Sequence, residues 1–132
     1  MLNLSHKNLD VYKISLQLVK EIYHLTKAYP KEEQFVLVLQ LRRAAISVSS
    51  NLAEGAARKS AKEKMRFYEI SRSSLVEVDT QIEISLLLKH LKNEDIVELE
   101  KYIESIFKML SKLISNLELK PTTHSPLPTN LL

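Results

Sequence analysis

Histidine, serine, carboxylate and basic side chains are the groups in this chain with chemical reach, and their spacing decides how far each can be taken. The four histidines, His6, His24, His90 and His124, lie on separate segments. No two of them stand at the i, i+3 or i, i+4 separation that would put paired histidine ligands on one helix face, so no metal and no other cofactor is expected. Serines are plentiful at Ser47, Ser49, Ser50, Ser71, Ser73 and Ser74. A serine nucleophile needs a neighbouring base and an oxyanion hole, and no glycine-flanked elbow surrounds any of these. The expectation is therefore a non-enzymatic protein with no catalytic residues, whose serines let helices approach closely.

Two polar constellations carry more information. Gln40, Arg43, Ser47, Asn51 and Glu54 recur at a spacing that places them on one face of a helix, and Glu69, Arg72, Asp79 and Glu83 form a second charged strip. Serine and asparagine are poor helix formers, so their presence mid-helix implies hydrogen-bond partners opposite. A network joining Asn51 and Glu54 to Arg72, inside the chain or across a subunit interface, is expected. The second constellation is basic. From Arg42 to Arg72 there are eight basic residues against three acids. Arg43, Arg58, Lys59, Lys62, Lys64 and Arg66 form the candidate phosphate-binding patch for RNA or DNA.

Stepwise apolar periodicity identifies the elements that must carry these groups. The spacing predicts helices over about 9–28, 32–57, 61–91 and 94–118. Their stripes are Val11, Ile14, Leu18, Ile22 and Leu25; Leu37, Leu41, Ala44, Val48 and Leu52; Phe67, Ile70, Ser74, Val78, Ile82 and Leu86; and Ile96, Leu99, Ile103, Ile106, Leu110, Leu113 and Leu117. A second stripe on the first helix, Tyr12, Leu16, Val19 and Tyr23, exceeds what one bundle face needs and offers a surface for another subunit. Asn8 and Asn93 are candidate N-caps. Ser60-Ala61-Lys62-Glu63 reads as a capping box, and Gly55, the only glycine, as a left-handed C-cap. Short linkers make consecutive helices antiparallel neighbours, which gives an all-α, up-down-up-down four-helix bundle over residues 1–119. Residues 120–132, with three prolines and no period, read as a flexible tail.

With 132 residues the chain has the size of one domain, and a single glycine leaves little for tight hairpins or phosphate-cradling loops. Zero cysteines exclude a disulfide framework, and no segment approaches the roughly 20 apolar residues of a membrane span. A cytoplasmic location is expected. Net charge is +3 but unevenly spread: residues 31–92 hold 11 basic and 8 acidic groups, whereas 93–118 hold 3 and 6. The last helix is acidic, and the alternative to nucleic-acid binding is a scaffold whose protein partner meets it.

The run Gln40-Leu41-Arg42-Arg43-Ala44-Ala45-Ile46-Ser47-Val48-Ser49-Ser50-Asn51-Leu52-Ala53-Glu54-Gly55, followed by Arg58 and Ser60, resembles the signature of the 23S rRNA-intervening sequence protein family. Tyr12, Tyr23, Pro30, Glu33 and Leu37 fit its first helix and turn, and Ser71-Arg72-Ser73-Ser74-Leu75 with Glu77 looks like its third-helix motif. The resemblance spans about Leu9 to Leu117. It implies a bundle assembled as a ring-shaped homopentamer, encoded in some bacteria within inserts in large-subunit rRNA genes. It also implies kinship with the accessory variability protein of diversity-generating retroelements, a basic pentameric barrel that binds nucleic acid and a reverse transcriptase. This chain departs from the family pattern where glycine is common, at Val36 and Ser73.

Overall fold

The computed structural model describes residues 1–118 of the chain. Four helices follow one another: α1 Asp10–Thr26, α2 Leu37–Ala56, α3 Ala61–Leu87 and α4 Val97–Glu118. Short 3-10 turns at Ser5–Asn8, Lys31–Glu33 and Asn93–Ile96 precede α1, α2 and α4, and no strand occurs among the described residues. Helix α1 packs on α2 and α4, and α3 packs on the same two, so each helix has two neighbours around a common core. The expected tail over 120–132 lies outside the described residues.

The core is built from the predicted stripes. Leu18, Ile22, Leu41, Leu52, Leu75, Leu99, Ile106 and Leu110 have 1% or less of their surface exposed. Each contributes about 1.5–3 kcal/mol relative to an exposed position. All five stripe residues of α2 are buried. The extra stripe on α1 stays at the surface in part, with Leu16 and Tyr23 exposed. Helix α3 departs furthest from expectation. Its buried face is Tyr68, Ser71, Ser74, Leu75, Val78, Ile82 and Ser85, while Ile70 points outward. Serines can occupy that face because their hydroxyls are satisfied. Ser71 donates to the Val48 carbonyl across the α2–α3 interface at 2.7 Å, and Ser85 donates back to the Gln81 carbonyl at 2.8 Å.

Gly55 is not a cap. It lies within α2 with no positive φ, buried against α3. A Cβ there would meet Tyr68 Cε1 at 2.7 Å and Phe67 Cβ at 3.1 Å, so the missing side chain is what lets the Tyr68 ring lie on the α2 backbone. The left-handed cap occurs instead at the end of α3, where Lys89 has φ 63°. There the His90 N–H donates to the Ser85 carbonyl and the Lys89 N–H to the Leu86 carbonyl, the paired bonds of a Schellman turn.

The helix starts also differ from expectation. Asn8 ends a 3-10 turn, and Leu9 stands at the N-cap of α1. Glu32 and Glu33 sit in their own turn, with α2 beginning only at Leu37. Asn93 opens a 3-10 turn, preceding which the Lys92 N–H donates to the Asp95 carboxylate at 2.9 Å. Ser60 does cap α3, accepting the Glu63 N–H at 3.1 Å.

Candidate nucleic-acid interface

The turn between α2 and α3, residues 57–60, places Arg58, Lys59, Lys62, Lys64 and Arg66 around one end of the molecule. These five residues do not present equal charge. Arg58 donates to Glu54 at 3.0 Å one helical turn back and lies 4.6 Å from the centre of the Phe67 ring. Lys64 reaches across the turn and donates to the Ala56 carbonyl at 3.0 Å, where the negative end of the α2 dipole favours a cation. Arg66 approaches the same Phe67 ring at 5.6 Å, so two guanidinium groups share one aromatic side chain. Lys59, Lys62 and Arg66 are exposed, and none of the three takes part in an ion pair among the described residues. Arg43 is exposed too but stands 13 residues before the end of α2, roughly 20 Å away along the helix at 1.5 Å per residue. The structure therefore gathers five of the six candidate residues and leaves Arg43 apart.

The expected network of Asn51, Glu54 and Arg72 does not form within the chain. Asn51 donates to the Ser47 carbonyl and hydroxyl at 2.9 and 3.0 Å. Glu54 is occupied by Arg58. Arg72 turns to α4, donating to the Ser111 hydroxyl at 3.1 Å with its guanidinium 5.9 Å from the Phe107 ring. The helices are joined instead by hydroxyls: Ser15 with Ser49 at 2.8 Å between α1 and α2, and Ser47 with Ser74 at 2.8 Å between α2 and α3. Arg42 donates to Thr26 at 3.0 Å and packs over Tyr23 at 4.3 Å. Small side chains on facing helices were legible in the sequence; their pairing was not.

A second polar cluster, which sequence reasoning missed, lies where Lys31–Glu33 meets the end of α3. His90 Nε2 is 2.8 Å from Glu33 Oε2, and both side chains are largely buried. The Tyr29 ring lies 5.3 Å from the His90 ring. Burial pushes the Tyr29 phenol upward; nearby Ser85 opposes this and the Glu33 carboxylate adds to it. The Ser85 hydroxyl gives its proton to the Gln81 carbonyl, and the Tyr29 Oη is buried with no partner at hydrogen-bond geometry among the described residues. Only long-range pairing of residues 57 apart builds this cluster, so no local motif announces it.

No group of three or more potential ligands is placed to hold a metal among the described residues. Glu21 and His24 stand one turn apart on α1 in a small depression with Tyr102, without a third ligand. No helix among the described residues is long and apolar enough to cross a membrane.

Among the described residues these features define an all-helical fold of four helices whose polar chemistry includes hydroxyl bridges between helices, a buried Glu33–His90 pair and a basic turn at one end. The chain belongs to the 23S rRNA-intervening sequence protein family, whose model it matches over residues 7–112. Its fold is similar to a crystal structure from Bacteroides thetaiotaomicron of a protein with unknown function from the S23 ribosomal protein family. The TM-score is 0.72 at 21% identity, covering 79% of this chain and 97% of that one. No curated protein matches the chain.

Proposed function

We infer that the protein is a non-enzymatic, antiparallel up-down-up-down bundle that assembles as a ring-shaped homopentamer in the bacterial cytoplasm and binds RNA or DNA through phosphate contacts. The antiparallel reading is supported by cross-helix pairs whose order reverses. Ser15 pairs with Ser49 and Thr26 with Arg42, while Ser47 pairs with Ser74, Val48 with Ser71 and Ala56 with Lys64. The nucleic-acid reading rests on one observation: Lys59 in the α2–α3 turn and Lys62 and Arg66 in the first two turns of α3 are exposed with no acid paired to them among the described residues. Arg58 and Lys64 reinforce the local field while bracing the turn. A ring would repeat this patch around its circumference, so several weak phosphate contacts would act together. The exposed side of α1, with Leu16 and Tyr23, supplies apolar surface for contact between copies.

The test is anisotropy of a labelled single-stranded RNA and a DNA duplex against the purified chain between 50 and 200 mM salt. Log affinity should fall with log salt by roughly 0.7–0.9 per phosphate neutralised. Lys59→Glu, Lys62→Glu and Arg66→Glu together should flatten that slope and weaken binding. Absence of binding at 50 mM salt rejects the reading. Light scattering gives the subunit count, and any mass other than five chains rejects the pentamer.

A further inference from the structure

Helices α3 and α4 leave between them an open groove of about 510 Å³ that nothing among the described residues fills. Its floor is the edge of the core, and its lips are apolar: Val76 on α3 is 50% exposed and Phe107 on α4 is 44% exposed. Leu86 and Ile103, both half-buried, continue the apolar surface along the groove. Asp79 and Glu83 rise from the α3 side one turn apart, and Glu100 and Glu104 rise from the α4 side at the same separation. Such like-charge pairs oppose the helices that carry them. Glu104 is joined to Lys108 at 2.9 Å, whereas Asp79, Glu83 and Glu100 have no cation paired with them among the described residues. An apolar trough walled by two acidic rows repels phosphate, so it is no part of a nucleic-acid surface and faces different chemistry from the α2–α3 turn.

We propose that the α3–α4 groove is a docking site for a basic amphipathic helix of another protein, with apolar side chains seated between Val76 and Phe107 and lysines or arginines against the acidic rows. The dimensions fit that occupant. Val76 to Leu86 spans ten residues of α3, which is about 15 Å, or nearly three turns of a docked helix. Three turns present apolar residues at i, i+3 or i+4 and i+7 to the floor, flanked by positions that face the carboxylates. Charge disfavours the same groove on a second copy, where acid would meet acid. The exposed α1 face of a second copy, with Lys13, Leu16, Lys20 and Tyr23, is the rival occupant that the subunit mass of the charge-reversed variant decides. The basic turn of a second copy fits poorly, because the large apolar side chain beside it, Phe67, lies under Arg58 and Arg66 and has no free face to seat in the groove.

The test uses the full chain and two labelled synthetic helical peptides of fourteen residues with the same leucine spacing, one with lysine and one with glutamate at the remaining positions. The lysine peptide should bind in the micromolar range and the glutamate peptide at least tenfold more weakly. Glu83→Lys with Glu100→Lys should reverse that preference, and Val76→Ser, which leaves charge untouched, should weaken the lysine peptide several-fold. All three positions are exposed, and circular dichroism checks that the variants remain helical. Failure of the lysine peptide to bind the unaltered chain, equal binding of both peptides, or indifference to the double charge reversal overturns the proposal. So does a change of subunit mass in the double variant, which would assign the groove to contact between copies. RNA binding through Lys59, Lys62 and Arg66 is measured separately, so either site can fail without the other.

Discussion

Replacing Gly55 with alanine sets two large effects against each other, and the structure fixes which one wins. In a helix, alanine is favoured over glycine by about 0.8–1.0 kcal/mol, and Gly55 has an ordinary helical backbone that alanine can adopt. Against this, the new methyl would sit 2.7 and 2.8 Å from two carbons of the Tyr68 ring and 3.1 Å from Phe67 Cβ. Tyr68 is 5% exposed, so its ring has no solvent to swing into, and the Phe67 Cβ moves only with the α3 backbone. Overpacking of this kind costs about 1–3 kcal/mol. Gly55→Ala should therefore lower stability by about 1 kcal/mol net, a fall of a few degrees in Tm. Urea denaturation of the variant measures it, and a double-mutant cycle isolates the cause. With Tyr68→Leu already in place the two ring contacts are gone and only the approach to Phe67 Cβ remains, so the same alanine should be between neutral and about 1 kcal/mol stabilising, a coupling of about 1–2 kcal/mol. If Gly55→Ala is more stable than the parent while Tyr68 is present, the argument from close approach is refuted.

Lys89→Gly should stabilise by about 0.5–1 kcal/mol, because φ 63° strains a residue with a Cβ and glycine is free to adopt it; an unchanged thermal midpoint would count against the assignment. Tyr29→Phe removes a buried, unpartnered hydroxyl, and a gain of about 1 kcal/mol in chemical denaturation is expected; a loss would mean that the hydroxyl has a partner. Burial raises the pKa of both Tyr29 and Tyr68 above 10.0, so the folded chain keeps phenol protons that the unfolded chain releases. Their stabilisation is complete below pH 10 and is lost as pH climbs toward the folded-state values, and Tyr29→Phe/Tyr68→Phe should make the alkaline limb of the stability curve shallower. Arg72→Ala should cost only about 1.5–2 kcal/mol, the worth of one hydrogen bond from a charged donor to a neutral hydroxyl; a loss of 3–5 kcal/mol would reveal the buried charge network that the described residues do not form.

The four helices were legible because their core residues recur at helical spacing, and every stripe residue expected on α2 is buried. Legibility fails where backbone and distant partners decide. Glycine's lack of a side chain suggested a cap, yet Gly55 serves a ring thirteen residues later in the chain, and the left-handed position fell on a lysine. The serines of α3 do pack closely as expected, but its first turns misled because Phe67 and Ile70 are apolar at helical spacing while the buried positions are Tyr68 and Ser71, and the acceptor of Ser71 on α2 is invisible in the sequence. The basic turn was visible as composition, but only geometry separates Lys59, Lys62 and Arg66 from Arg58 and Lys64, which have structural employment. The pairing of Glu33 with His90 joins two connecting segments that no local pattern links.

The hydroxyl bridges along α2 imply a lopsided tolerance of sequence drift. On α4, buried leucines and isoleucines can be exchanged among themselves with modest repacking. On the α2 face that meets α1 and α3, Ser47, Ser49 and the Val48 carbonyl each answer one particular hydroxyl, so sliding α1 by a turn would strand the Ser49 bond and sliding α3 would strand the other two together. Divergent relatives should thus exchange the buried aliphatic residues of the final helix more readily than the small polar residues that hold the relative register of the first three.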